Sequence, residues 1–156
     1  MRIYLPATLD ELDALRTTGG ALTARTAYAV TSALRAALPD EDEEGLEFAA
    51  HLSAADGSFA LLAGAPDAPR LRLVVTADVP DEAVRALDDA PDERDVTAVA
   101  LTTPVALDLV ACVHVDEPEL APEVDAALAG DEAARERVEE ADLLWYDVSE
   151  LADIPR

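Results

Sequence analysis

The sequence contains no lysine, no asparagine and no glutamine among its 156 residues. All 11 basic residues are therefore arginine, and against 34 aspartates and glutamates they leave a formal net charge of -23. Without lysine the chain cannot form a Schiff base, a Walker-type phosphate-binding loop or an amine general base. The charge also argues against direct binding to nucleic-acid backbones or anionic membranes, because both depend on basic side chains.

Cysteine, histidine and glycine are scarce. The single Cys112 excludes an internal disulfide framework, and one cysteine with two histidines makes a structural zinc site implausible. We expect Cys112 to be buried and inert. Six glycines are too few for a glycine-rich dinucleotide loop, and no serine lies in a Gly-x-Ser-x-Gly elbow. We therefore assign no catalytic, cofactor-binding or metal-binding residue and expect no cofactor.

Long apolar runs are also missing. No run approaches the roughly 18 residues that a membrane span needs, and residues 1–12 have no apolar signal core. These features predict a cytoplasmic protein without membrane association. The missing lysine and asparagine are what a high-GC genome produces, and an acidic surface also suits a high-salt cytoplasm. Both explanations outweigh a functional interpretation of the net charge.

Aliphatic residues are frequent enough for a folded core. Leu, Val, Ile and Phe supply 40 of the 156 residues, a fraction above the roughly 20% below which a highly charged chain is typically disordered. The sequence therefore predicts a folded protein.

Local motifs and periodicity predict the helices and strands. Thr8 and Glu11 match a capping box, and they are followed by leucines at helical spacing and by Gly19 at the end of the helix. Hydrophobic periodicity predicts strands at 2–6, 26–31, 70–77, 95–101, 109–115 and 143–148, and helices at 9–18, 32–38, 40–62, 80–87, 116–129 and 131–140.

This order of elements predicts an α+β fold. We expect a single domain over residues 1–156, with a mixed sheet of about five or six strands and helices packed on it. The short connection between 95–101 and 109–115 predicts that these two strands are antiparallel neighbours. Gly57 and Ser58 mark an expected weak point or break in the longest helix, and 88–95 is expected to be an exposed acidic loop.

The acidic run 40–44 has part of the spacing of a calcium-binding loop. Asp40, Asp42 and Glu44 fall at positions 1, 3 and 5 of a calcium-loop pattern, but position 12, which needs a bidentate glutamate, is His51. The pattern thus fails at its most important ligand. We interpret the run as the N-terminus of a helix, where acidic residues favour the positive end of the helix dipole.

The histidines and the aromatic residues near the C-terminus each allow more than one interpretation. His51 lies one helical turn after Glu47, a spacing that suits either a metal or a surface ion pair, and His114 is expected to be a hydrogen-bonded core residue. Trp145 and Tyr146 must point to opposite faces of a strand, so one fills the core and the other is exposed or at a contact edge. Arg2 and Tyr4 would be their neighbours if the terminal strands paired.

Five segments resemble an uncharacterised family of small acidic proteins from high-GC Gram-positive bacteria. The resemblance covers nearly the whole chain in the same order and implies one domain, a bacterial cytosol and no known cofactor. It carries no catalytic or binding residue. The segments are Met1-Arg2-Ile3-Tyr4-Leu5-Pro6-Ala7-Thr8-Leu9, Tyr28-Ala29-Val30-Thr31, Ala77-Asp78-Val79-Pro80, Val113-His114-Val115-Asp116 and Leu144-Trp145-Tyr146.

Three hypotheses about function remain open. The first is a non-enzymatic interaction or regulatory protein with an acidic surface and a basic protein partner. The second is an enzyme or small-molecule binder that uses carboxylates, with or without a divalent cation. The third is a mimic of nucleic acid. The residues that form the candidate interaction surface are Arg2, Tyr4, Asp40, Asp42, Glu43, Glu44, Trp145 and Tyr146.

Overall fold

The computed structural model describes residues 1–87 and 96–155. The strands in this part of the chain are β1 (Arg2–Ala7), β2 (Ala21–Leu22), β3 (Thr26–Tyr28), β4 (Leu73–Asp78), β5 (Val84–Ala86), β6 (Ala98–Leu101), β7 (Val105–Ala106), β8 (Val110–Val115) and β9 (Leu144–Asp147). The helices are α1 (Leu9–Thr18), α2 (Ser32–Ala37), α3 (Glu43–Ala63), α4 (Ala121–Leu128) and α5 (Glu132–Glu140).

Seven strands form one sheet in the order β5-β6-β3-β1-β4-β8-β9, and β2 pairs with β7 in a small second sheet. The predicted α+β class is confirmed. The sheet is larger than the five or six strands expected, and every strand pair in the described residues is antiparallel, where a mixed sheet was expected. The helical connections in the described residues do not form a βαβ unit with two adjacent parallel strands, so the sheet is not mixed.

The two faces of the sheet bury different layers. On one face, Ile3, Leu5 and Val75 share a core with leucines of α1 and with Leu151 near the C-terminus. On the other face, Tyr4 and Val74 pack against alanines of α3. Because side chains alternate along a strand, β1 and β4 contribute to both layers and are buried almost throughout. Small alanines let α3 approach the sheet closely.

Local sequence accounts for both ends of α1 and for the start of α3. The Thr8 amide donates to Glu11 Oε2 at 3.0 Å and the Glu11 amide donates to Thr8 Oγ1 at 3.4 Å, so the predicted capping box is confirmed. Gly19 ends α1 at φ 64°, a conformation that glycine adopts without strain. The Asp42 carboxylate accepts from the Gly45 amide at 2.9 Å and caps α3.

The expected break in α3 at Gly57 and Ser58 was wrong, because both residues serve the packing of an unbroken helix. A Cβ at Gly57 would lie 3.0 Å from the ring of Tyr28, so glycine permits close contact with β3. The buried Ser58 hydroxyl donates to the Ala7 carbonyl at 3.0 Å and accepts from the Leu73 amide at 2.8 Å. The helix is thereby joined to β1 and β4.

Two predictions about the second half of the chain were also wrong. The helix expected at 80–87 is a single turn over Asp81–Ala83 followed by β5, since pairing with β6 extends the backbone there. The strands expected to be neighbours, now β6 and β8, are far apart in the strand order, because β6 pairs with β3 and β5 while β8 pairs with β4 and β9. The loop expected at 88–95 lies outside the described residues.

The helices α4 and α5 complete the layer on the α3 side of the sheet. Val124 of α4 and Val138 of α5 are buried with Leu62 of α3, and Phe59 packs against this cluster. Asp131 caps α5 by accepting from the Ala134 amide at 3.0 Å. This cluster covers the C-terminal half of α3 and leaves the flank of its N-terminal half open.

Candidate functional site

An open cleft of about 690 Å³ lies where the N-terminal half of α3 separates from the end of α5 and the segment that follows it. Its floor is the sheet face that carries Tyr4 of β1 and His114 of β8. The described lining contains no arginine, and it contains five carboxylates, which are Glu44, Glu47, Glu139, Glu140 and Asp142. Glu139 is paired with Arg135 of α5, so the cleft concentrates negative charge that is only partly compensated.

Two exposed apolar side chains of α3 also line this cleft. Phe48 is 58% exposed and Leu52 is 44% exposed, and one helical turn separates them. Singly scattered apolar residues on a surface are ordinary, but neighbouring ones that line a cavity are typical of a contact site. The wall of the cleft therefore exposes apolar surface to solvent, and a bound partner could bury it.

The floor of the cleft is an aromatic cluster. The ring centroids of His51 and His114 lie 4.5 Å apart with an interplanar angle of 66°, and the Tyr4 ring meets His51 edge to face at 5.9 Å. His51 is on α3, whereas Tyr4 and His114 are on strands that flank β4. The packing of α3 on the sheet is thus what brings the chain's two histidines together.

Both imidazoles contain a buried nitrogen without a hydrogen-bond partner in the structure, Nε2 of His51 and Nδ1 of His114. Burial, reinforced by the charge that His114 and Arg72 would present, lowers the pKa of His51 to about 4. Burial also lowers the pKa of His114. Both rings are therefore neutral at pH 7, and each neutral ring has one acceptor nitrogen.

Tyr4 is held in its protonated form. Burial, together with the nearby carboxylate of Glu47, raises the pKa of the Tyr4 hydroxyl to about 12. A hydroxyl with so high a pKa is a weak nucleophile, and a histidine that stays neutral down to about pH 4 is a weak base. The chemistry of this cluster favours contact and recognition over proton transfer.

The described residues contain no group of three or more His, Cys, Asp or Glu side chains arranged to hold a metal ion. The acidic run does not form the twelve-residue loop of a calcium site, because residues 43–51 are continuous helix. Cys112 was expected to be buried, but it is only partly buried on β8, one strand in from the edge strand β9. No described helix is long and apolar enough to cross a membrane.

The structure separates the acidic residues that the sequence grouped. Asp42 caps α3, and Glu43 pairs with Arg35 at 2.7 Å. Asp40 is exposed ahead of the helix. Glu44 alone of the predicted acidic residues lines the cleft. The run is thus mainly a helix start.

The predicted aromatic and arginine residues are likewise divided. The terminal strands do not pair, because β4 and β8 lie between β1 and β9. Arg2 is held by Asp78 at 3.1 Å, and Tyr4 is 6% exposed on the cleft floor. Trp145 stands directly opposite His114 on the cleft's face of the sheet and is 57% exposed, whereas Tyr146 packs against the core on the other face.

Sequence reasoning missed the apolar wall and the histidine pair. The spacing of Phe48 and Leu52, four residues apart beside Glu44 and Glu47, was a readable signal of an apolar stripe on an acidic helix. No comparable signal joins His51 to His114, because 63 residues separate them and only the sheet order brings them together.

Residues 1–154 match the model of a family described as "Family of unknown function (DUF6912)", which confirms the resemblance to an uncharacterised family along almost the whole chain. Neither the curated proteins nor the solved structures contain a match.

Proposed function

We propose that this chain, which belongs to the DUF6912 family of unknown function, is a non-enzymatic interaction protein that binds a basic segment of a partner protein in the cleft beside α3. One observation supports this proposal above all. Five carboxylates line the same cavity as the exposed side chains of Phe48 and Leu52, and the described lining contains no arginine. Within the described part of the chain, only one of the five, Glu139, is paired with a nearby arginine, Arg135 of α5. An occupant with both positive charge and apolar surface matches that lining.

Electrostatics favours a cationic occupant. Carboxylates that face one another across a cavity repel, and a cation between them relieves the repulsion and raises the association rate. Apolar contact with Phe48 and Leu52 then supplies affinity that salt does not screen, because it depends on area removed from water. A partner that is basic but has no apolar surface would bind only weakly at physiological ionic strength, because salt screens the attraction between exposed charges.

The neutral state of the floor supports binding instead of catalysis. Tyr4, which is buried, and His51 and His114, which are half-buried, form a platform whose groups do not change protonation near pH 7. Such a platform gives an occupant a constant, uncharged surface to pack on. The alternative of a carboxylate-based enzyme or cation binder would instead need a carboxylate or base poised to exchange a proton or a metal near neutral pH.

The cellular setting belongs to the same proposal. We place the protein in the cytoplasm of a high-GC Gram-positive bacterium, among relatives that share its acidity. The absence of lysine and the charge of -23 support this setting. A basic partner in the cytosol would be free to reach the cleft.

Selection from a random peptide library tests the proposal. Peptides are selected on the wild-type protein at low salt, and each binder is then measured against Glu47→Gln, Phe48→Ala and a control, Glu82→Gln. Glu82 is an exposed acid at the opposite end of the sheet, beside β5. We expect enriched peptides to combine basic and apolar residues, to weaken with salt, and to lose affinity for both cleft variants but not for the control.

Two results would contradict the proposal. One is enrichment of peptides whose binding does not depend on the cleft residues. The other is thermal stabilisation by a divalent cation or a metabolite with no selected peptide, which would favour the small-molecule alternative.

A further inference from the structure

The cleft continues along α3 and α5 as a groove with two halves. The open half is the cleft beside the N-terminal half of α3, and in the closed half the groove is filled by a side chain of this protein. In the closed half, the guanidinium carbon of Arg135 lies 4.3 Å from the centroid of the Phe59 ring. The same guanidinium pairs with Asp56 of α3 at 3.1 Å and with Glu139 of α5. An arginine thus covers a phenylalanine and is held by one carboxylate from each helix.

The open half presents the same parts without the arginine. Phe48 precedes Phe59 by eleven residues, which is about three turns and an offset of only about 20° around the helix, so both rings lie on one stripe of α3. Phe48 is 58% exposed. Glu44 and Glu47 of α3 line this half together with Glu140 of α5. Glu139 also lines it, but Glu139 is already paired with Arg135.

The arginines of the surrounding elements are already engaged. Arg35 pairs with Glu43 at 2.7 Å, and Arg72 is buried against Asp116 at 2.7 Å. Arg2 pairs with Asp78. These three side chains are therefore engaged elsewhere, and among the residues that the structure describes no arginine stacks on Phe48. We therefore look to another molecule for the cation.

We propose that the open half receives an arginine side chain of the partner protein, with its guanidinium stacked on Phe48 and paired with the flanking carboxylates. This inference rests on the proposed function and names the contact on which that function depends. The stacking of Arg135 on Phe59 in the closed half is the example, within this protein, on which the proposed contact is based.

Arginine suits this position better than lysine for three physical reasons. The planar guanidinium stacks on an aromatic ring, whereas an ammonium is a compact point charge. Its five donors can reach carboxylates on both sides at once. It is also more weakly hydrated, so its transfer into a half-buried cleft costs less.

Three peptides of one sequence test this contact. Each has a central residue between two leucines, and that residue is arginine, lysine or citrulline, the uncharged isostere of arginine. Dissociation constants are measured by NMR titration of the wild-type protein at low salt. We expect the arginine peptide to bind about fivefold more tightly than the lysine peptide and the citrulline peptide to bind weakest.

Matched variants locate the contact. Phe48→Ala should abolish the preference for arginine over lysine, because stacking is lost, while Phe48→Tyr should keep it. Leu87→Ala, which truncates an exposed leucine beside β5, should change neither peptide's affinity. Unfolding curves of each variant establish that the fold is intact.

The outcomes separate this inference from the proposed function. Equal affinity for the arginine and lysine peptides, with both lost in Glu47→Gln, would overturn the arginine contact and leave a basic occupant in place. Binding of none of the charged peptides to the cleft would overturn both. A preference for arginine that persists in Phe48→Ala would place the arginine elsewhere and would likewise overturn the inference.

Discussion

The imidazole rings of His51 and His114 lie 4.5 Å apart, between α3 and the sheet, and each has a buried nitrogen without a hydrogen-bond partner. Because burial disfavours the charged form, folding holds both rings neutral. The pair therefore links the docking of α3, which shapes the cleft, to the binding of protons.

The first prediction concerns pH. Unfolded histidines titrate near 6.5, whereas the pKa of folded His51 is about 4, so below about pH 6.5 the unfolded chain binds more protons. Stability should therefore fall as pH drops from about 6.5 toward 4. We expect His51→Gln to remove about 1 kcal/mol of the loss between about pH 7 and pH 5, a figure reduced for partial exposure of the ring.

Urea denaturation across this range measures the effect. Glu43 and Asp147 also have lowered pKa values, caused by hydrogen bonds from Arg35 and Ser149, so the wild type loses stability through them as well. The difference between wild type and His51→Gln cancels these contributions. Parallel curves for the two proteins would show that the histidine carries no proton linkage.

The second prediction concerns the buried ion pair of Arg72 and Asp116. Asp116 Oδ1 lies 2.7 Å from Arg72 Nη2, Asp116 Oδ2 accepts from the Arg72 amide at 2.7 Å, and both side chains are almost fully buried. Asp116→Ala would leave a buried guanidinium without its counter-charge, so we expect a loss of about 3 kcal/mol.

The double variant Arg72→Met with Asp116→Ala provides the control. It removes the stranded charge, so it should be more stable than Asp116→Ala alone, as measured by the free energy of unfolding in urea. A double variant less stable than the single one would mean that the arginine's packing, and its hydrogen bond to the Ala141 carbonyl at 3.0 Å, outweighs its charge.

The third prediction concerns Ser58, which joins α3 to two strands. Ser58→Ala removes the donor to the Ala7 carbonyl and the acceptor for the Leu73 amide, and both backbone groups lie in a region that water does not reach. We expect a loss of about 2 kcal/mol in the free energy of unfolding. Ser53→Ala is the matched control, because the Ser53 hydroxyl bonds only to the Ala49 carbonyl within the helix. Equal losses for the two variants would contradict this interpretation.

The fourth prediction contrasts two glycines of α3. Alanine raises helix propensity by about 1 kcal/mol at either position. At Gly57, however, the new Cβ would lie 3.0 Å from Tyr28 and 3.1 Å from Pro6, so we expect Gly57→Ala to destabilise the fold. At Gly45 the nearest atom is the terminal oxygen of the flexible Glu41 side chain, which can move, so Gly45→Ala should stabilise it. Thermal unfolding distinguishes the two, and stabilisation by both would show that the contact with Tyr28 relaxes freely.

Features that depend on local interactions could be predicted from the sequence alone. The capping box of Thr8 and Glu11 and the helix start after Asp42 involve residues within one turn of each other, so the sequence alone determined them. The opposite orientations of Trp145 and Tyr146 follow from strand geometry in the same way. The α+β class followed from the alternation of such segments along the chain.

Tertiary structure decided the strand order and with it the cleft. Asp81–Ala86 forms a turn and a strand because β6 supplies backbone partners there, which local propensity cannot reveal. His51 and His114 are joined only through the packing of α3 on the sheet, across a separation of 63 residues. Such contacts depend on how helices and strands pack against one another. A periodic pattern in the sequence specifies only which face of each helix or strand is apolar.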